Sequence, residues 1–191
     1  RLGFRTRGIF VMDGSKRSKH SNAYYTGLGK IQRIVIFDTL MGALTENQIV
    51  AVLAHEIGHL KKNHIKKQII ITAVVSLFLF YITSKLIISP LMYTSFGFQS
   101  ISLYAGLFLV GVIWEPVSFF LSPFGMAISR KFEREADLYA LRALKTAKPL
   151  SMALKKMATQ NLANLQPHPL YVLLNYSHPP FIERIEHLER A

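Results

Sequence analysis

His55-Glu56-Ile57-Gly58-His59 decides how this chain is read. On a helix, residues four apart share a face, so the two imidazoles point at one spot. The Glu between them lies alongside, where it can hold and deprotonate a metal-bound water. Ile49, Val52, Leu53, Ile57 and Leu60 recur at helical spacing around the motif and mark a buried face. Two neutral imidazoles and a carboxylate on such a face need partners, which a metal supplies. Upstream, Thr45-Glu46-Asn47-Gln48 fits a capping box that starts the helix at Thr45. The motif helix is expected over residues 45–64.

Catalytic zinc commonly takes three protein ligands and leaves one position open. A third His six residues after the second is excluded, because Ile65 stands there. His64 is one residue short and points elsewhere on the helix. The chain has no cysteine, which removes thiolate ligands, thiol nucleophiles and disulfides. The donor left is a carboxylate from a later helix, and the helical pattern over 129–148 carries Glu133-Arg134-Glu135-Ala136-Asp137. Glu133 and Asp137 share a face, while Glu135 points nearly the opposite way. Acids on two turns of one face allow one ligand and one acceptor for a ligand His. His178, before Pro179-Pro180, is a further candidate, since amide hydrolysis needs a donor for the developing oxyanion.

Charge and hydropathy place this site beside a membrane. The 191 residues are 50% hydrophobic yet carry a formal net charge of +12. Residues 69–93 are apolar but for Lys85 and a few hydroxyls, and residues 101–121 are apolar around Glu115-Pro116. A bilayer core about 30 Å thick needs roughly 20 such residues in a helix, so two transmembrane helices are expected. Glu115 is costly in lipid and marks a functional suspect. Lys61, Lys62, Lys66 and Lys67 precede the first run, Arg130, Lys131 and Arg134 follow the second, and 89–100 holds no Lys or Arg. By the positive-inside rule both outer flanks face the cytoplasm. The asymmetry explains the basicity without nucleic acid, and none is expected as a partner.

Residues 1–44 read as β-rich, with strands at Gly8–Met12 and Arg33–Phe37 in a small antiparallel sheet around a basic loop, Gly14–Ser21. Further helices are expected at 150–165 and 181–190, the last capped by Ser177 or His178. No repeat or signal peptide is visible. Without an initial Met, and opening inside structured sequence, the chain reads as a piece of something longer.

Beyond the zinc motif, several blocks occur in order: Gly14-Ser15-Lys16-Arg17, Ser21-Asn22-Ala23-Tyr24, Phe37-Asp38-Thr39-Leu40, Ser129-Arg130-Lys131-Phe132-Glu133 with Ala136-Asp137, and Tyr176-Ser177-His178-Pro179-Pro180 with Glu183-Arg184. In these blocks the chain resembles the catalytic C-terminal part of the Ste24-type CAAX prenyl proteases, in the M48 family of zinc metallopeptidases. The resemblance implies a mainly α, zincin-like (gluzincin) core with a small antiparallel sheet and two transmembrane helices, all within one catalytic domain over 1–191. It implies one zinc ion held by His55, His59 and Glu133, with Glu135 kept as a second candidate ligand. Glu56 and His178 would be catalytic, Asp137 and Arg184 would support the ligands, and Asn22 would bind the substrate backbone. The implied partners are a lipid bilayer and a peptide or protein substrate, prenylated or not. The implied place is the bacterial inner membrane or the endoplasmic reticulum membrane, with the active site opening to the cytoplasm. Membrane-protein quality control is an alternative role, and a non-catalytic zinc-binding membrane protein another. A fourth protein ligand such as His64 or Glu135 would favour the latter.

Overall fold

A computed structural model describes residues 8–16, 22–26 and 33–191. Arg17, Lys19 and Ser21 of the basic loop lie outside the described residues. In chain order the elements are β1 (Ile9–Met12), β2 (Ala23–Thr26), β3 (Arg33–Phe37), α1 (Asp38–Ala43), α2 (Glu46–Lys61), α3 (His64–Ile87), α4 (Pro90–Ser95), α5 (Leu103–Leu144), α6 (Lys148–Gln160), α7 (Pro169–Asn175) and α8 (Phe181–Arg190). They form two compact units, one of Arg1–His64 with Met126–Ala191 and one of Ile65–Gly125.

The sheet corrects the antiparallel expectation. Its order is β1-β3-β2, with β1 parallel to β3 and β2 antiparallel to it. The connection from β1 to β3 is long and contains β2, which is the kind of crossover that parallel pairing needs. Asp38 fixes the arrangement from below. Its Oδ1 accepts the N–H groups of Gly14 and Ser15, both at 3.0 Å, and its Oδ2 accepts the Ser15 hydroxyl at 2.6 Å. The turn after β1 is thereby tied to the first residue of α1, directly after β3. The same Ser15 hydroxyl, with three backbone N–H groups, holds the Asp38 carboxyl below the usual carboxylate range.

In the first unit α2 is central because it buries two stripes. Val52 and Ile57 pack with Ile34 and Ile36 of β3, Leu40 and Leu44. Ala51 and Ala54 pack instead with Ala140 of α5, Leu150 and Leu154 of α6, and Ile185 and Leu188 of α8. The capping box at Thr45 forms as expected, with Gln48 Oε1 accepting the Thr45 N–H at 3.0 Å. α8 occupies the expected residues, but its N-cap is Pro180 rather than Ser177 or His178.

The helices of the second unit also shift the expected boundaries. The first apolar helix ends at Ile87 rather than at Tyr93, because Pro90 cannot continue it and starts α4 instead. The second does not stop near Leu121 but runs unbroken into the acidic stretch, so α5 is one helix of 42 residues through Pro116 and Pro123. Pro123 deprives the Phe119 carbonyl of its helical donor, and the Ser122 hydroxyl replaces that donor at 3.0 Å, a repair common in apolar surroundings. Both helices are long and apolar enough to cross a membrane, and the apolar windows of α3 and α5 are 0% and 11% buried. That exposure is not what a core helix shows.

Between them Tyr93 is 1% exposed. It points its hydroxyl between the carbonyls of Ile87 and Ser102, at 3.0 and 2.9 Å. A Cβ on Gly106 would overlap that hydroxyl. Tyr93→Phe is expected to lower stability by about 1–2 kcal/mol through the lost hydrogen bond, and Gly106→Ala by about 1–3 kcal/mol through overpacking. In thermal unfolding in detergent, the double variant should lose less than the sum of the two singles.

Candidate metal centre

The site is assembled where α2 and α5 touch. At Gly58 an added Cβ would lie 3.0 Å from both Cα and O of Ala136 and 3.1 Å from Tyr139 Cβ. Only a glycine on α2, facing a fully buried alanine on α5, lets the two backbones come this near. Glu133 stands one turn before Ala136 and so reaches the two imidazoles of α2.

Three side chains converge there. His55 Nε2 and His59 Nε2 are 3.1 Å apart. Glu133 Oε2 lies 3.5 Å from His55 Nε2, and its Oε1 lies 3.3 Å from His59 Nε2. Zinc bonds of about 2.0–2.1 Å in a tetrahedron set ligand atoms about 3.3–3.4 Å apart. The spacing therefore fits a zinc-sized ion, and the two-imidazole, one-carboxylate donor set suits it. Among the described residues these three are the group able to hold a metal ion. Of the two Glu candidates, it is Glu133 that faces the imidazoles.

The surrounding charges are paired. Asp137 Oδ1 accepts from His55 Nδ1 at 2.8 Å, which leaves Nε2 aimed at the cluster. Arg184 of α8 grips Asp137 with two bonds, Nε to Oδ2 at 2.8 Å and Nη2 to Oδ1 at 2.7 Å. Its Nη1 lies 3.4 Å from Glu133 Oε2. Burial alone would push the His55 pKa down, but Asp137 and Glu133 outweigh it and raise it to about 9. The same two carboxylates that attract a proton attract a metal cation, and the two compete for His55.

His178 joins the cluster from the segment before α8. Its Nε2 is 3.4 Å from Glu133 Oε1, and its Nδ1 is 2.9 Å from the Ser177 hydroxyl. The ring is still exposed, and the partial loss of solvent on the side it turns to the cluster holds its pKa below the usual histidine range, against the pull of Glu133. Arg130, one turn before Glu133 on α5, donates to the carbonyls of Val172 and Tyr176 at 3.1 and 2.7 Å. It thereby pins the segment that carries His178. In the charge pattern Arg130 reads as a flanking charge, yet its position three residues before Glu133 places it on the same helix face.

Glu56 is half-buried on α2 beside His55. Asn22 is exposed just before β2, and its carbonyl accepts from the Phe37 N–H at 3.0 Å. It is tied to the sheet rather than to the cluster. His64 and Glu135, the residues whose presence on the metal would close the site, meet each other instead at 3.1 Å. His64 touches the cluster through His59 Nδ1, on the far side of that ring, at 3.0 Å.

Comparison with known proteins places the site in context. Residues 1–191 match the family described as Peptidase family M48. The chain is similar to the CAAX prenyl protease 1 homolog of Arabidopsis thaliana, 39% identical over 190 residues, covering 98% of this chain and 44% of that protein. It is similar to the CAAX prenyl protease 1 of Saccharomyces cerevisiae, 36% identical over 205 residues, covering 99% of this chain and 45% of that one. Among solved structures it resembles the crystal structure of S. mikatae Ste24p, with a TM-score of 0.87 and 35% identity over 98% of this chain and 47% of that chain. The chain spans less than half the length of these relatives.

The contact at Gly58 is directly testable. Gly58→Ala should push α2 and α5 apart by a few tenths of an ångström and lower stability by about 1–3 kcal/mol. Zinc retention should fall with it, which dialysis against a chelator followed by metal analysis will show.

Proposed function

Because this chain belongs to peptidase family M48, we propose that it forms the catalytic part of a zinc-dependent endopeptidase embedded in a membrane. The observation that carries the reading is the convergence of His55, His59 and Glu133 at zinc-like spacing, with Glu56 on the same helix. His55, His59 and Glu133 would hold one zinc ion, which when bound would supply Lewis acidity for the scissile carbonyl and the attacking water.

The chain's own groups do the rest. Glu56 accepts the proton of the attacking water and passes it to the nitrogen of the leaving amine. Ser177 donates its hydroxyl proton to His178 Nδ1, so that ring keeps its remaining proton on Nε2. From there His178 donates to the carbonyl oxygen as charge builds on it. Arg130 keeps the His178 segment in place through the Tyr176 carbonyl. Arg184 and Asp137 hold the His55 ring so that its Nε2 lone pair stays directed at the metal. Asn22, before the β2 edge, is assigned to bind the backbone of an extended substrate.

The substrate class comes from the relatives. Both quoted relatives are CAAX prenyl proteases by name, and a prenylated C-terminal peptide is the substrate proposed here. A lipid-linked substrate also suits a site flanked in sequence by two helices fit to cross a bilayer. Lys61, Lys62, Lys66 and Lys67 before the first and Arg130, Lys131 and Arg134 after the second favour a site opening to the cytoplasm.

The test uses the full-length protein with a farnesylated reporter peptide and its unprenylated twin. Glu56→Gln should keep one zinc per chain while cleavage falls by about 10²–10⁴-fold. The wild type should cut the farnesylated peptide far faster than the twin. Cleavage by Glu56→Gln at the wild-type rate would contradict the mechanism, and equal cleavage of the two peptides would contradict the substrate class.

A further inference from the structure

We infer that His64 and Glu135 are positioning residues for the proposed zinc ligand His59, acting as a two-link hydrogen-bonded relay behind it; this rests on the zinc-site reading above. On one continuous helix His64 would stand about 140° around from His59, and nothing would bring the rings together. The chain breaks between them. α2 ends at Lys61, Asn63 takes a left-handed conformation at φ 55°, and α3 starts at His64. Asparagine tolerates that conformation better than most residues. The break turns the His64 ring back onto His59.

His64 is 3% exposed, and its ring stacks on Phe132 at 4.3 Å with 8° between the planes. Stacking fixes the plane of the ring, so both nitrogens have set directions. Nδ1 lies 3.0 Å from His59 Nδ1, and Nε2 lies 3.1 Å from Glu135 Oε2. The protons can then be placed one by one. With the His59 Nε2 lone pair given to the metal, His59 carries its proton on Nδ1 and donates it to His64 Nδ1. His64 must then carry its own proton on Nε2, and it donates that one to the Glu135 carboxylate. Each link has one donor and one acceptor.

The two ligand imidazoles are thus supported by different means. His55 Nδ1 reaches a carboxylate directly, at Asp137. His59 reaches one through an intervening imidazole, at Glu135. The consequence is the same in kind: a fixed tautomer, a fixed ring orientation and a more basic ligand nitrogen. Glu135, which points away from the metal on α5, acquires a role through its distance from it.

The experiment measures zinc affinity of the full-length protein by competition with a chelator of known affinity, and zinc release rate alongside. His64→Phe keeps ring volume and the stack on Phe132 but removes the acceptor, and it should weaken zinc binding by about 10–100-fold. His64→Asn places an amide oxygen near the lost Nδ1 and should recover most of that loss. Glu135→Gln keeps an acceptor without the charge and should weaken binding less than His64→Phe does. Zinc affinity of His64→Phe within about twofold of wild type would overturn the relay, as would a His64→Asn loss as large as that of His64→Phe. If His64→Phe fails to fold, Glu135→Ala, at a partly exposed position, should still weaken zinc binding severalfold, and unchanged affinity there would overturn the relay as well. His59→Ala separates the two readings. Full zinc retention in it would remove the zinc-site reading and the relay together, whereas loss in His59→Ala with none in His64→Phe removes the relay alone.

Discussion

The close approach of α2 to α5 at Gly58 and Ala136 is the contact on which the rest of the site depends. Helices with ordinary side chains at the crossing sit about 8–10 Å apart, whereas at Gly58 the backbone of α2 comes into direct contact with that of α5. With no Cβ at Gly58 and a buried alanine opposite, Glu133 meets His55 and His59 at hydrogen-bond range. Ala51, Ala54 and Ala140 extend the same small-residue contact along the pair. The glycine inside the His-Glu-Ile-Gly-His stretch is therefore a packing residue with a chemical consequence.

That contact also concentrates charge in a buried place, and the fold balances it. Glu133 and Asp137 are 5% and 1% exposed, and Arg184 is 9% exposed between them. Breaking a buried ion pair by removing one partner typically costs about 3–5 kcal/mol, so α8 is bound to α5 through its chemistry as well as through Ile185 and Leu188. The exposed pair Arg134–Glu183 at 2.6 Å adds little by itself. Arg130 extends the tie to the chain before α8. Three basic side chains, Arg130, Arg134 and Arg184, thus connect the last segment of the chain to the helix that carries Glu133, and they set the height at which His178 enters.

Much of this could be read from the residues, and the failures share a physical pattern. The capping box at Thr45, the paired imidazoles and the facing of Glu133 with Asp137 are local consequences of helical spacing, and they emerged as read. The extent of α8 followed from a proline stop and a short amphipathic run. The direction of β1 against β3 did not, because it is set by a long connection and by Asp38 reaching back to the turn after β1. The continuity of α5 was missed because Pro116 and Pro123 break helices in water, whereas here the Ser122 hydroxyl takes over a freed carbonyl. His64 was set aside on the assumption of an unbroken helix, and a single left-handed residue, Asn63, overturns that geometry. Its signal in the sequence was the asparagine between two helical patterns. Asn22, assigned by resemblance alone, stands at the sheet and outside the metal cluster.

In the site proposed here, two imidazoles and one carboxylate hold a zinc ion and leave a position open for water. Zinc-edge X-ray absorption on the full-length, zinc-loaded protein tests it most directly, since imidazole rings scatter with a distinctive outer-shell pattern. The expected spectrum shows two imidazoles, one carboxylate oxygen and one further light-atom ligand, at about 2.0–2.2 Å. Three or more imidazoles around the metal, or a zinc ion with no imidazole at all, would contradict it.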